Sequence, residues 1–360
     1  MHRFRPLGAP PGTASRHPCP GIPPRSRRSR RLRWRSASAL LLLLLPCLPA
    51  AAGSPPTRTP RHLARFPLRV SAYVANSGST TLSVYDTRLE SRVGAVQVGH
   101  APTGVGTAPD GETVYVANSR SDTVTFVGTA HRLPIATVPV QHRPFAAMPT
   151  RDGRHVLVAN FGSDSVSVIS VRDRHVIANV QVGPLPHSIT TVPNGTAYVT
   201  NNGGRTVTVL DPEAHVERVV RVGDFPSGIS SSRDGDRVYV SNTGSGTVSV
   251  INPHTDTVVA TLPAGKAPLG NAVSPDGNRL YVADSARDCL LIIDIAARRV
   301  IAHVRVGAKP QGVAITPDGG RVWVTNEESD SVSVIDPFAQ RVRFTLPAGH
   351  EPEGIAITPR

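Results

Sequence analysis

The sequence predicts an all-β fold, a seven-bladed β-propeller with four-stranded blades, and three observations predict it. A Tyr-Val-Ala-Asn motif at residues 73–76 returns in related form every 41–42 residues, ending at Asn118, Asn160, Asn201, Asn242, Asp284 and Asn326. Each unit contains four short runs rich in β-branched residues and bounded by turn residues, as strands require. Apolar residues do not keep helical spacing for more than a turn or two. Repeats of about 40–45 residues with four strands each are typical of propellers, which have about four to eight blades.

The strands of one unit are named A to D from the centre of the ring outwards. In the seventh unit they are expected at residues 312–316, 321–326, 331–336 and 341–346. The A–B turns carry an Asp-Gly or Asn-Gly pair, at residues 110–111, 152–153, 194–195, 234–235, 276–277 and 318–319. In a two-residue hairpin turn both members of such a pair have positive φ, and this is the conformation we expect.

Six of these turns serve seven blades, and the missing turn predicts how the ring closes. The repeats begin with a B strand at residues 70–76 and end with an A strand at residues 354–358. We expect the C-terminal strand (354–358) to pair with the N-terminal strand (70–76) and complete blade one, which removes exposed sheet edges.

The charge of the chain is concentrated before the repeats. Residues 1–52 hold ten of the 39 basic residues and no acidic residue, so 29 basic residues face 26 acidic ones in the remainder. The formal charge of +13 therefore does not indicate a basic phosphate-binding face, and no nucleic-acid partner is predicted.

Three segments are predicted: an export signal at 1–52, a Pro/Arg-rich linker at 53–69 and the propeller at 70–360. The signal has an arginine-rich start, the apolar run Leu40 to Leu45 and small residues ending at Ala52. Arg30-Arg31 resembles a twin-arginine signal, and the export route stays open. The apolar core of the signal as a whole is about half of the ~20 residues that span a bilayer, so we expect no permanent membrane anchor. The expected product is a monomer that is secreted or associated with the cell envelope.

Several motifs recur in phase with the repeat, among them Tyr115-Val116-Ala117-Asn118, Tyr198-Val199-Thr200-Asn201, Pro275-Asp276-Gly277 and Ser331-Val332-Ser333-Val334-Ile335-Asp336. They resemble the YVTN-repeat β-propeller family, which includes relatives of the exported protein YncE, over residues 70–360. The resemblance implies an exported or surface-attached seven-bladed protein. Similar folds occur in lactonases and in a copper-containing reductase domain, so the resemblance indicates architecture and leaves the chemistry open.

Residues that recur in every blade are expected to hold the blade together. This applies to the asparagine that ends each B strand and to the aspartates at Asp86, Asp211, Asp294 and Asp336. Their side chains are expected to bond to nearby turn backbone. A functional site should instead break the symmetry.

The link from strand D to the next strand A breaks the symmetry at two positions. Two residues before its proline stand His350, His100 and His142, entering blades one, two and three. These three are the candidate metal ligands, since imidazole is an ordinary ligand of zinc, copper or iron. The alternative is that they are exposed loop histidines. No cofactor is predicted, and a transition metal is the less favoured alternative.

The residue just after the proline forms a second ring, made of Glu353, Thr103, Phe145, His187, Ser227, Leu269 and Gln311. The candidate ligand-binding residues are His100, His142, His187, Phe145, Glu353 and Gln311. The candidate catalytic residues are His187, Glu353 and Asp224, with His187 and either Glu353 or Asp224 acting as an acid–base pair on an ester or lactone.

No local catalytic motif such as Gly-x-Ser-x-Gly, His-Glu-x-x-His or a Walker loop is present in the sequence. We therefore predict an exported binding or interaction module without catalysis of its own. It would take an unidentified protein or small molecule at its top face and channel mouth. The alternative is a lactonase-like hydrolase or lyase, or a metal-binding protein, that uses the histidine-rich mouth.

Overall fold

The computed structural model describes residues 70–359. The predicted export signal and linker lie outside the described residues. Seven four-stranded antiparallel sheets form the blades, and the innermost strand of each blade contacts that of the next around a closed ring. The predicted fold is confirmed. No helix in this part of the chain is long and apolar enough to cross a bilayer.

The first four blades are built in chain order. Blade one contains β1 (Ser71–Asn76), β2 (Thr81–Asp86) and β3 (Ser91–Gln97). Blade two contains β4 (Pro102–Thr107), β5 (Thr113–Asn118), β6 (Thr123–Gly128) and β7 (Leu133–Pro139). Blade three contains β8 (Pro144–Pro149), β9 (His155–Asn160), β10 (Ser165–Ser170) and β11 (His175–Gln181). Blade four contains β12 (Pro186–Thr191), β13 (Ala197–Asn201), β14 (Thr206–Leu210) and β15 (Val216–Arg221).

The remaining blades follow the same order. Blade five contains β16 (Pro226–Ser231), β17 (Val238–Asn242), β18 (Thr247–Asn252) and β19 (Thr257–Pro263). Blade six contains β20 (Pro268–Val273), β21 (Arg279–Asp284), β22 (Cys289–Asp294) and β23 (Arg299–Arg305). Blade seven contains β24 (Pro310–Ile315), β25 (Val322–Asn326), the short 3-10 helix Glu327–Ser329, β26 (Ser331–Asp336) and β27 (Arg341–Pro347). The last strand, β28 (Pro352–Ile357), belongs to blade one.

The core of the propeller lies between the blades. Each of the seven clusters of buried apolar side chains is shared by two neighbouring blades, including one between blades seven and one. The B and C strands stand in the middle of each sheet and are buried along almost their whole length. The B strands are mostly apolar, whereas most C strands alternate serine or threonine with apolar residues. The D strands form the outer edge and expose most of their residues.

The predicted closure is confirmed. Strand β28 pairs antiparallel with β1, with Ala72 opposite Ile357 and Val74 opposite Ile355. A carboxylate reinforces this seam: Glu90 of blade one accepts hydrogen bonds from Arg321 Nε (2.7 Å) and Arg343 Nε (3.2 Å) of blade seven. The two termini of the propeller are thus joined by both backbone and side-chain contacts.

The prediction that both residues of each A–B turn pair have positive φ was wrong for the first residue. Only the glycine has positive φ, for example 74° at Gly111 and 73° at Gly277. The preceding aspartate acts through its side chain instead, because Asp110 Oδ1 accepts the backbone N–H of Glu112 at 2.9 Å and Asp276 Oδ1 accepts that of Asn278 at 3.1 Å. The loop is longer than a two-residue turn, so the aspartate stabilises it as a cap.

The structural role predicted for the repeated asparagine is confirmed. In blade two, Asn118 Nδ2 donates to the hydroxyls of Thr123 (3.1 Å) and Thr125 (2.9 Å) on strand C, while Asn118 Oδ1 accepts the backbone N–H of Gly99 (3.1 Å). We call this arrangement the asparagine latch. The donation to two strand-C hydroxyls recurs at Asn76, Asn160, Asn201, Asn242 and Asn326. In blade six, Asp284 accepts the backbone N–H groups of Lys266 and Ala267.

The aspartates predicted to hold turn backbone also do so. The carboxylates at Asp86, Asp211, Asp294 and Asp336 each accept at least one backbone N–H of the turn that follows strand C. Neither repeated residue type is therefore left over for a functional site.

The latch predicts which glycines tolerate a side chain. A Cβ at Gly99 would lie 2.7 Å from the Asn118 side chain, whereas a Cβ at Gly94 would meet nothing within 4 Å. We expect Gly99→Ala to lower the free energy of unfolding by about 1–3 kcal/mol, because the latch must shift and lose hydrogen bonds. Urea unfolding measures the change, with Gly94→Ala as the matched control that should stay within about 0.5 kcal/mol of the wild type. Equal stability of the two variants would contradict a structural role for the latch.

Candidate functional site

A cavity of about 170 Å³ lies at the centre of the ring, at the end where the D–A links enter the inner strands. All seven inner strands contribute to its lining. The predicted ring of residues after the proline is here in full: Thr103, Phe145, His187, Ser227, Leu269, Gln311 and Glu353. We call this cavity the channel mouth.

The next position along each inner strand keeps the strands close together. It is glycine in five blades, at Gly104, Gly228, Gly270, Gly312 and Gly354. A Cβ there would come within 2.1–2.5 Å of a backbone oxygen of the adjacent inner strand. Blades three and four instead carry Ala146 and Ser188. This close approach brings the seven mouth residues into one lining.

Two of the polar residues in the ring are committed to the structure. Thr103 Oγ1 donates to the Phe145 carbonyl oxygen at 3.0 Å. The Ser227 hydroxyl accepts from Asn202 Nδ2 (3.1 Å) and shares a hydrogen bond with Thr243 Oγ1 (2.8 Å). The side chains left to meet a ligand are Phe145, His187, Leu269, Gln311 and Glu353.

Blades three and four place an aromatic wall on one side of the mouth, made of Phe145, Phe161 and His187. The ring centroids of Phe145 and His187 are 4.0 Å apart, and Phe161 lies 5.9 Å from Phe145 and 6.4 Å from His187. The Arg143 guanidinium carbon stands 5.2 Å from the centroid of Phe161. Phe161 of the aromatic wall is thus already in contact with a cationic side chain, that of Arg143.

Burial lowers the pKa of His187 to about 4, and a hydrogen bond with the Ser227 backbone opposes this only in part. Its Nδ1 lies 3.1 Å from the Ser188 hydroxyl. The imidazole is therefore neutral at pH 7 and adds no positive charge to the mouth.

Glu353 stands on the blade-one side of the mouth. Its pKa is raised to about 7, mainly by burial and then by the negative charge of Glu327, while Lys309 and a hydrogen bond with Ser77 act in the opposite direction. Glu327 itself accepts hydrogen bonds from Lys309 Nζ at 2.7 Å and from Gln311 Nε2. Glu353 therefore titrates near neutrality, close to a glutamate whose charge is already paired.

The histidines two residues before the proline do not line the cavity. The ring of His142 is 80% exposed and its Nδ1 lies 3.0 Å from Asp122 Oδ2, while His350 Nδ1 lies 3.3 Å from Asp330 Oδ1. His100 is on the surface. Within residues 70–359 no group of three or more His, Cys, Asp or Glu side chains is arranged to hold a metal ion.

The structure brings together four of the six candidate ligand-binding residues: Phe145, His187, Gln311 and Glu353. Of the candidate catalytic residues, Asp224 lies apart. It forms an ion pair with Arg205 and borders a separate surface depression with Phe225 and Gly244.

Sequence reasoning missed two residues that shape the site, Arg143 and Lys309. Phe161 and Glu327 directly follow the latch asparagine and lie in B–C loops, whose differences between blades indicate plausible contact surfaces for a ligand or protein from the sequence alone. Arg143 and Lys309 directly precede the proline, one position from the histidines that drew attention. Comparing all positions of the two loops between blades would have found them.

Residues 231–318 match the family model described as YNCE-like beta-propeller. The resemblance to YncE-like propellers that the repeat motifs indicate is thereby confirmed. A comparison of the chain with curated proteins gives no match.

Solved structures of several proteins share the fold. Hydrazine synthase of Kuenenia stuttgartiensis aligns with a TM-score of 0.66 and 22% identity, over 72% of this chain and 90% of that one. A putative 6-phosphogluconolactonase of Bacteroides uniformis aligns with a TM-score of 0.69 and 17% identity, over 81% and 100%. A functionally unknown protein of Desulfotomaculum acetoxidans gives 0.71 and 14%, over 80% and 98%. At these identities the likeness concerns the fold.

The two shifted groups predict opposite effects of pH on stability. Glu353 keeps its proton up to a pH of about 7 in the folded protein and releases it near 4.5 when unfolded, so its contribution to stability falls as pH rises between these values. His187 has a folded pKa of about 4 and an ordinary value of 6.5, so its contribution falls as pH drops through that range.

We therefore expect Glu353→Gln to raise the free energy of unfolding above pH 7, on the order of 2 kcal/mol, and to bring no gain near pH 4. Urea unfolding across this pH range measures the difference. The matched control is Glu213→Gln, which removes an exposed carboxylate that does not line the channel mouth. If Glu353→Gln and the wild type show parallel pH profiles, Glu353 is not a desolvated carboxyl.

Proposed function

We propose that the protein is an exported binding module that takes a small ligand at the channel mouth. One observation carries the proposal: the cavity lining includes the position just after the proline, where every one of the seven blades has a different residue. The positions that recur in every blade are occupied by structural hydrogen bonds, as the asparagine latch illustrates.

The size of the cavity limits what it holds. Its volume of about 170 Å³ is close to that of an engineered cavity of about 150 Å³ that binds benzene. It is smaller than the roughly 300–1,000 Å³ of pockets for drug-sized ligands. The mouth therefore suits a single ring, or the end of a larger molecule.

The chemistry of the lining fits a binding site. Phe145 and Leu269 offer apolar surface, and His187 and Glu353 offer polar groups that bring no permanent charge of their own. Mostly apolar cavities with a few convergent polar groups are typical of ligand sites. Export from the cytoplasm rests on the sequence of residues 1–52, and the near-balance of 29 basic and 26 acidic residues after them argues against a nucleic-acid ligand.

Hydrolysis of a lactone or ester is the second candidate, favoured by Glu353. A carboxyl with a pKa near 7 suits general acid–base catalysis at neutral pH. In the described part of the chain, however, Glu353 and His187 stand on different blades, and each has its own hydrogen-bond partner, Ser77 and Ser188. Binding without turnover is therefore the first proposal.

Benzyl alcohol is a suitable neutral probe of the mouth, and ligand-observed NMR with the purified full-length chain measures its binding. We expect saturable binding with a dissociation constant in the millimolar range or below. Leu269→Trp, which fills the cavity, should weaken binding by about tenfold or more, equivalent to ~1.4 kcal/mol. Leu133→Trp on the outer strand β7, where Leu133 is exposed, is the matched control and should bind as the wild type does.

Failure of the wild type to bind any ring-sized probe would contradict the proposal. The same samples, incubated with simple lactones and esters, test the second candidate. Turnover by the wild type that Glu353→Gln abolishes would establish the mouth as a catalytic site instead.

A further inference from the structure

We propose that the ligand of the channel mouth is a small organic ammonium. Its positive charge would pair with the Glu353 carboxylate, and its apolar part would lie against Phe145 and Leu269. This inference rests on the proposed binding function and adds the chemical class of the ligand.

The first argument is the charge balance of the mouth. Lys309 and Gln311 both bond to Glu327, so this glutamate is neutralised within the protein. Lys309 is thereby occupied and reaches Glu353 only through its field. Glu353 lines the cavity and takes part in none of the ion pairs formed by residues 70–359. A cation in the cavity would supply the missing partner.

The same balance disfavours an anionic ligand. A carboxylate or phosphate in the mouth would face Glu353, and the negative charge of Glu351 reaches the same carboxyl. His187 is neutral and supplies no compensating charge. Arg143, which contacts Phe161 of the aromatic wall, does not line the cavity.

The second argument is the aromatic wall. Cations are attracted to aromatic faces within about 6 Å, with a gain of roughly 0.5–2 kcal/mol that increases as water is excluded. Arg143 already occupies this position over Phe161, at 5.2 Å, on the outer side. Phe145 of blade three and Leu269 of blade six both line the cavity itself. An ammonium with an apolar substituent matches both the carboxyl and this surface.

The pairing predicts that binding is coupled to proton release. The groups whose charges reach Glu353 are Glu327, Glu351 and Lys309, and Ser77 donates a hydrogen bond to it. Its pKa near 7 means that the empty site is largely protonated below neutrality. An ammonium stays charged over this range and stabilises the ionised carboxyl, so binding expels the proton. Affinity should fall by up to about tenfold for each pH unit below 7.

Three single-ring probes of similar size and different charge test the proposal: benzylammonium, benzyl alcohol and benzoate. We expect benzylammonium to bind at least about tenfold more tightly than benzyl alcohol at pH ~8, and benzoate to bind most weakly. Calorimetry in two buffers of different ionisation enthalpy should show proton release near neutral pH for benzylammonium alone. Glu353→Gln should remove both the preference and the proton release, whereas Glu213→Gln should change neither.

The outcomes separate the ligand class from the binding function. If benzyl alcohol binds and benzylammonium binds no more tightly, the ammonium proposal is wrong and the binding module stands. Absence of binding by all three probes contradicts both. A preference for benzylammonium that persists in Glu353→Gln also contradicts the proposal. Phe145→Leu gives a second check, since loss of the aromatic face should weaken benzylammonium more than benzyl alcohol.

Discussion

The asparagine latch is the contact on which the rest of the propeller depends. It ties the link that enters a blade to strand C of that blade, through a buried side chain that strand B provides. The link determines where the inner strand begins, and the start of the inner strand places a residue in the channel mouth. A hydrogen bond within one blade therefore controls the position of the site at the centre of the ring.

The latch is incomplete in the two blades that build the aromatic wall. The side-chain oxygens of Asn160 and Asn201 lack hydrogen-bond partners in the described structure, whereas Asn118 accepts from a glycine N–H. In blade three Gln141 replaces that glycine, and its Oε1 accepts from the Ser165 hydroxyl. These blades also lack the glycine at the close approach of the inner strands. The departures from the structural repeat and the aromatic side chains thus coincide, which supports a functional role for this side of the mouth.

The sequence predicted the fold well because a strand that is uncertain in one repeat is supported by the equivalent strands of the other six. Seven copies defined the strands, and counting six A–B turns located the seam. The ring after the proline was also predictable, since equivalent positions in a propeller point to one axis. The positions of the histidines two residues earlier were not predictable in this way, because Asp122 and Asp330 hold His142 and His350 at the surface. These aspartates lie about half a repeat earlier in the chain, and their contact depends on how adjacent blades pack, which no local pattern shows. The desolvation of His187 and Glu353 likewise depends on the depth of the cavity.

Desolvation gives the empty mouth a simple electrostatic state. The carboxyl of Glu353 has a higher pKa than the imidazole of His187, the reverse of their order in water. Both groups are neutral between about pH 4 and 7. The carboxyl is the group able to respond to a cationic ligand, because an ammonium beside it would stabilise its ionised form.

The central claim is that Glu353 is a desolvated carboxyl that faces the cavity and meets a cationic ligand. Its pKa measures this most directly, through an NMR pH titration of the side-chain carboxyl carbon with and without benzylammonium. The account predicts a pKa of about 7 in the free protein and a clearly lower one in the presence of the ammonium. A free-protein pKa near the ordinary value of 4.5, or one that the ammonium leaves unchanged, would contradict it.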